Sequence, residues 1–190
     1  MDGSIQLPGP RFAVVGVTGS GKTTTAQRLS RILNIPHVEL DSLHWEKGWV
    51  QAERELFRQR VGQALSGDTW VTDGNYSKAR DIIWSRAATL VWLDYNLPVV
   101  LWQLANRTLR RIIRREILWN GNRETFRGAF FSRDSLFLYA FSSQKKQREL
   151  YPRLLATEFA HLQVLHFRSR EETNRWLNEL SSAVCHRQFR

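Results

Sequence analysis

One cysteine, Cys185, in 190 residues leaves no partner for an internal disulfide. That excludes a disulfide-stapled scaffold and fits a reducing, cytoplasmic setting. No apolar run reaches the length of a membrane span, so no membrane partner is expected. The opening MDGSIQLPGP has no apolar stretch behind a basic start, and no signal peptide is expected from it. Internal repeats, low-complexity tracts and Pro/Gly-rich linkers are also missing. A chain of this length is therefore read as one domain over 1–190 with a sizeable buried core. Lysine is scarce, with 5 against 23 arginines. Acid is scarce in one half only: residues 1–100 hold 11 basic and 10 acidic side chains, residues 101–190 hold 17 and 8. The net charge of +10 thus belongs to the second half, which points to a local anionic partner. Genomic base composition is a second source of such an arginine bias.

Short apolar runs alternate with longer helical patterns. RFAVVG (11–16), IPHVELD (35–41), TWVTDG (69–74), ATLVWLD (88–94) and LQVLHF (162–167) read as strands. Helical spacing links Ala26, Leu29, Ile32 and Leu33, then Leu56, Phe57, Val61, Ala64 and Leu65. A long helix is expected from about Val99 to Leu118, a turn at 120–122, helical segments up to Leu155 and a last helix over 171–180. This alternation predicts an α/β fold, a mostly parallel sheet of about five strands covered by helices on both faces. Ligands in such folds sit beyond the carboxyl ends of the strands.

Gly16-Val-Thr-Gly-Ser-Gly21-Lys22-Thr23 matches G-x-x-x-x-G-K-[ST] in full, with a strand leading in and a helix leading out. The chemistry explains each part. Glycines let the backbone turn successive N–H groups inward onto phosphate oxygens, and the following helix adds its positive end. Thr18, Gly19, Ser20 and Thr24 belong to the same cradle for ATP. Lys22 would reach the β- and γ-phosphates, and the Thr23 hydroxyl would ligate Mg²⁺. The D-x-x-G and N-K-x-D pair of a GTPase does not occur, and no strand ends in Asp-Glu as in many ATPases. A small kinase of the three-layer P-loop NTPase fold remains.

The chain resembles the P-loop nucleotide and small-molecule kinases, among them adenylate, shikimate and gluconate kinases. More narrowly it resembles the bacterial family called DNA topology modulation proteins. That likeness is carried by GVTGSGKTTTA, LDSLHWEKGW, WVTDGNY, RTLRRIIRREILWNGNRE and FRSREETNRWL. The resemblance implies that Asp73 meets the Mg²⁺ shell; a turn aspartate is the other reading. It also places Asp41 across the cleft from the γ-phosphate. A carboxylate there receives the proton of an acceptor hydroxyl. Asp41 or Ser42 could equally open a helix as its N-cap. His44 and Trp45 would line the same pocket, or pack as core. Gly74, Asn75 and Tyr76 would lie over the acceptor, with hydrogen bonds from the last two. Asp94 would lead into the lid, or cap the helix beginning near Pro98. Arg168 would border the adenine ring; alternatively, Ser169 caps the last helix.

Arg107, Arg110, Arg111, Arg114 and Arg115 fall on one helical face, with Leu109, Ile112, Ile113 and Ile117 on another that can pack on the body. Five like charges repel unless anions neutralise them, and guanidinium groups match phosphate oxygens in two-pronged geometry. We read residues 104–133 or so as a helical, arginine-rich lid, hinged at Asn120-Gly121-Asn122. Arg107 would bind ATP, and Arg111, Arg115 and Arg123 would offset charge during transfer; Arg127 lies beyond. The expected function is Mg²⁺- and ATP-dependent transfer of the γ-phosphate to an acceptor, with a hydroxyl favoured by Asp41. The alternative partner is DNA or RNA, held by the basic tract with stacking on Trp102, Trp119, Phe126, Phe130 and Phe131. The sequence leaves monomer and homodimer equally open.

Overall fold

The computed structural model describes residues 9–114, 116–122 and 136–188. Seven strands and seven α-helices are present among the described residues. In chain order they are β1 (Arg11–Gly16), α1 (Lys22–Leu33), β2 (His37–Glu39), α2 (Leu40–His44), β3 (Trp45–Glu46), β4 (Val50–Gln51), α3 (Arg54–Ala64), β5 (Trp70–Asp73), α4 (Arg80–Arg86), β6 (Thr89–Leu93), α5 (Leu97–Ile113), α6 (Leu136–Ala156), β7 (Gln163–Phe167) and α7 (Arg170–Gln188). The main sheet runs β2-β5-β1-β6-β7, and every pairing in it is parallel.

The sheet is covered on both faces, so alternate residues of one strand enter different cores. Phe12 and Val14 of β1 join Ala26 and Leu29 of α1, Val100 and Leu104 of α5, and Leu177 and Leu180 of α7. Ala13 and Val15 join Phe57 and Val61 of α3, Ile83 and Trp84 of α4, and Tyr151 of α6. The result is the three-layer arrangement that the strand–helix alternation predicts. Because β1 lies between β5 and β6, the loop after β1 emerges at the middle of the carboxyl edge.

Several expected boundaries move. The second strand is only three residues long, and Leu40 already begins a short helix. Pro36 has no N–H to give the ladder, but its carbonyl accepts from Val71 N at 2.8 Å. The hairpin of β3 and β4 and helix α4 lie in segments that carried no two-fold or helical pattern long enough to read. The last helix extends to Gln188.

Helix α5 begins at Leu97, with Pro98 in its first turn, and stops at Ile113 rather than Leu118. Arg114 N bonds back to Arg110 O, Glu116 N bonds to Arg111 O, and the Glu116 carboxylate folds onto Arg110 and Arg111. The apolar side of α5 does not pack on the body as expected: Leu109 is 46% exposed, Ile113 70% and, beyond the helix, Ile117 65%. The core takes Val100, Leu104 and Thr108 instead, on the same side of the helix as Arg107 and Arg111. No helix among the described residues is long and apolar enough to cross a membrane.

Candidate active site

The cradle is built as its glycines demand. Gly16, Gly19 and Gly21 have φ of 148°, 84° and 88°, values at which an L side chain is strained. At Gly19 a Cβ would also meet Val100 O at 2.8 Å and Leu104 Cβ at 2.9 Å, so α5 closes on the loop there. Nothing stands within 4 Å of a Cβ at Gly21, the residue before α1. Ser20 is buried and Thr18 partly so, while Thr24 projects to solvent on the first turn of α1.

Lys22 opens α1 and curls back to donate to Val17 O at 3.0 Å. Burial lowers its pKa to about 8; Asp41 and Asp73 oppose that shift, and Arg107 adds to it. The ammonium therefore sits where an added anion would be welcome. Thr23 Oγ1 donates to Asp73 Oδ2 at 2.6 Å, which joins the two residues expected at the metal. Asp73 is the last residue of β5 and only 4% exposed. Its other oxygen meets His37 Nε2 at 2.7 Å. The residues fit Mg²⁺: a hydroxyl, a carboxylate and an adjacent phosphate cradle are the usual donors for a cation that keeps much of its water. His37 was not singled out in the sequence, where it is one histidine before a short apolar run.

Asp41 lies in the first turn of α2, whose N-cap is Glu39. Asp41 is thus not the cap, and the Ser42 hydroxyl donates to Glu39 O at 2.7 Å. The Asp41 carboxylate instead accepts from the Tyr76 hydroxyl and lies close enough to influence Lys22. Glu39 adds a second acid: burial pushes its carboxyl up, a Trp119 indole hydrogen bond opposes this, and the Asp73 and Asp41 charges push it further up.

His44 is 4% exposed and packed edge-on against Trp45 and Phe57 and tilted against Tyr76. Burial holds its pKa below the usual 6.5, which suits the packed-histidine reading. Trp45 is partly buried, its ring 5.5 Å from that of Trp49. Gly74, at φ 142°, lets Leu40 approach; a Cβ there would meet the Leu40 side chain at 3.0 Å.

Asn75 Oδ1 accepts from Gly16 N at 3.2 Å and its Nδ2 donates to Gly16 O, which ties this amide to the first glycine of the cradle. Asp94 does not cap α5, whose N-cap is Asn96. It accepts from Arg148 Nε at 2.8 and 3.1 Å and meets His166 at 3.3 Å, and His166 stacks on Trp92 at 4.1 Å. Arg168 lines a cavity of about 560 Å³ with these residues and Asn96. Ser169 does cap α7, accepting from Glu172 N at 3.2 Å, while Glu172 accepts from Arg168 N at 2.8 Å.

Arg107 reaches the cradle, 3.5 Å from Thr18 Oγ1. Arg111 lies 3.8 Å from Glu116 and over the Trp119 ring at 6.0 Å. Arg115, Arg123, Arg127, Phe126, Phe130 and Phe131 lie outside the described residues. The turn expected to be a hinge is tied down. Asn120 Nδ2 donates to Trp45 O, Asn122 Nδ2 to Glu46 O at 2.9 Å, and Trp49 N to Asn122 Oδ1 at 3.0 Å. Three hydrogen bonds thus fasten this turn to the β3–β4 hairpin beside Asp41.

A five-stranded parallel sheet with a glycine-rich cradle after its central strand is the three-layer P-loop fold. No family model matches the chain. Among solved structures it is similar to a shikimate kinase from Acinetobacter baumannii in complex with shikimate, at 18% identity and TM-score 0.54, over 93% of this chain and 94% of that one. A gluconokinase from Sinorhizobium meliloti 1021 aligns at 15% identity and TM-score 0.53, over 94% and 93%. Shikimate kinase from Aquifex aeolicus aligns at 19% identity and TM-score 0.51, over 90% and 96%. The likeness is one of fold across nearly the whole of both chains.

Proposed function

We propose that the chain is an Mg²⁺- and ATP-dependent phosphotransferase, a single catalytic domain that passes the γ-phosphate to a hydroxyl acceptor. The observation that carries the reading is the Thr23–Asp73 hydrogen bond of 2.6 Å beside Lys22, inside a cradle of three positive-φ glycines. The kinases that share the fold support it. Magnesium, when bound, would supply positive charge that offsets the charge on the phosphates. The Thr23 hydroxyl and, through water, the Asp73 carboxylate would hold that cation. Lys22 spans to the terminal phosphates, and the loop N–H groups from Thr18 to Thr23 cradle the rest. Asp41, oriented by the Tyr76 hydroxyl, accepts the acceptor's proton as the acceptor oxygen bonds to phosphorus and the β–γ bridging bond breaks. Arg107, reaching across from α5, offsets charge on the phosphates, and the arginines from Arg111 to Arg127 are the source of further such charge.

The test is transfer of labelled γ-phosphate to pooled nucleosides, sugars and 5′-hydroxyl oligonucleotides. Lys22→Ala should abolish transfer. Asp41→Asn should remove it while sparing ATP affinity. Transfer that survives Lys22→Ala sinks the reading, and equal loss of binding and transfer in Asp41→Asn makes Asp41 structural.

A second reading, nucleotide-dependent DNA or RNA binding, is supported by the 17 basic against 8 acidic residues after position 100. It accords with the narrower likeness to DNA topology modulation proteins and with a cytoplasmic site of action. It requires affinity for duplex or single-stranded polynucleotide that falls steeply with salt. No binding at low salt removes it.

A further inference from the structure

The carboxylate of Asp73 is nearly sealed from water, at 4% exposure. A buried carboxylate is costly unless donors surround it. Two donors are in place, from different elements. Thr23 Oγ1, on α1, takes Oδ2 at 2.6 Å, and His37 Nε2, on β2, takes Oδ1 at 2.7 Å. The sheet explains the second contact. β2 and β5 are parallel, with His37 opposite Val71 and Glu39 opposite Asp73. Side chains two residues apart share a face, so His37 lies diagonally across from Asp73 on the side of the sheet that carries α1. Its own side chain is only 15% exposed, which leaves the ring little freedom to turn away.

The Thr23 hydroxyl has a single proton. While Asp73 accepts it, the lone pairs of Oγ1 are free for a cation. If the carboxylate rotates, that proton is released to point elsewhere and the oxygen is no longer aimed. His37 bears on this rotation through its contact with Oδ1.

We propose that His37 is a positioning residue for the divalent cation: by holding Asp73 Oδ1 it fixes the carboxylate that orients the Thr23 hydroxyl, and so sets metal affinity without contributing to nucleotide affinity. This rests on the phosphotransferase reading above. Gln is the conservative replacement, because its Nε2 stands the same number of bonds from the backbone as the histidine Nε2 and also donates.

The experiment is calorimetric titration of ATP into the full-length chain, with EDTA and again with Mg²⁺. It is done for the unsubstituted chain, His37→Ala and His37→Gln. The ratio of the two affinities isolates the metal. His37→Ala should leave the EDTA affinity unchanged and cut the Mg²⁺ enhancement about ten- to hundredfold, the usual cost of losing a partner behind a metal ligand. His37→Gln should restore most of it. An unchanged enhancement in His37→Ala overturns the proposal, as does an equal fall in the EDTA affinity, which would make His37 a general prop. Failure of the unsubstituted chain to bind ATP under either condition strikes the phosphotransferase reading itself, a result distinct from both.

Discussion

Lys22 offers a direct test through protons. Burial lowers its pKa from the ordinary 10.5 to about 8 in the nucleotide-free protein. The sign follows from linkage. Between about pH 8 and 10.5 the unfolded chain holds the proton that the folded chain has lost, so folded stability without nucleotide rises with pH across that window. Binding a polyphosphate reverses the balance, because an anion beside the amine favours its charged form. At pH 9 a group of pKa 8 is about 90% neutral, and at pH 7 about 10% neutral, by simple titration. Nucleotide binding should therefore take up close to one proton at pH 9 and close to none at pH 7. Affinity should fall about tenfold per pH unit above 8. Calorimetry in buffers of different ionisation enthalpy reads the uptake directly. His44 and Tyr95 do not interfere between pH 7 and 9: burial lowers the first below 6.5 and raises the second above 10.0. Lys22→Arg is the control, since a guanidinium stays charged throughout and should bind ATP with no proton uptake. No uptake at pH 9, or the same uptake in Lys22→Arg, refutes the reasoning.

Asn75→Ala should leave both polar groups of Gly16 without their side-chain partner. We expect a loss of about 1–3 kcal/mol, read as a fall of roughly 2–12 °C in Tm, with weaker ATP binding; an unchanged Tm would mean the amide contributes nothing net. Asn122→Ala should release the turn from the hairpin, so that hydrogen exchange at 45–51 and 116–122 rises together while 16–23 is unaffected. A rise confined to the turn would show that the two segments are not coupled.

The strands were legible because a doubly covered parallel sheet needs compact β-branched runs, and RFAVVG and ATLVWLD have them. The cradle was legible because each position answers a steric or charge demand. Helix α5 was misjudged at its end for a physical reason: apolar and basic residues keep helical spacing past Ile113, but Glu116 draws the chain back onto Arg110 and Arg111. Spacing alone does not reveal such a closure. Nor does it reveal that the apolar side at Leu109 and Ile113 stays exposed while Val100 and Leu104 make the core. The partners of Asp94 and Asn75 were illegible because Arg148 and Gly16 lie 54 and 59 residues away, and only the sheet order brings them together. His37 is the same case, 36 residues from the carboxylate it holds.

The acids around Lys22 bear on the choice of acceptor. Sequence left Asp41 between a proton acceptor and an N-cap, and the cap position is taken by Glu39. Glu39, Asp41 and Asp73 all act electrostatically on one another or on Lys22. Two unit charges about 6 Å apart interact by on the order of 3 kcal/mol at an effective dielectric of 20. An ionised phosphate acceptor brought beside Asp41 and Glu39 would meet that repulsion from each charged carboxylate, with Lys22 already committed to the nucleotide. A hydroxyl meets none of it and gains a hydrogen bond to Asp41 instead. Arg111 is engaged with Glu116 and lies over Trp119. Acceptance of a hydroxyl draws on the Asp41–Tyr76 pair that is already formed.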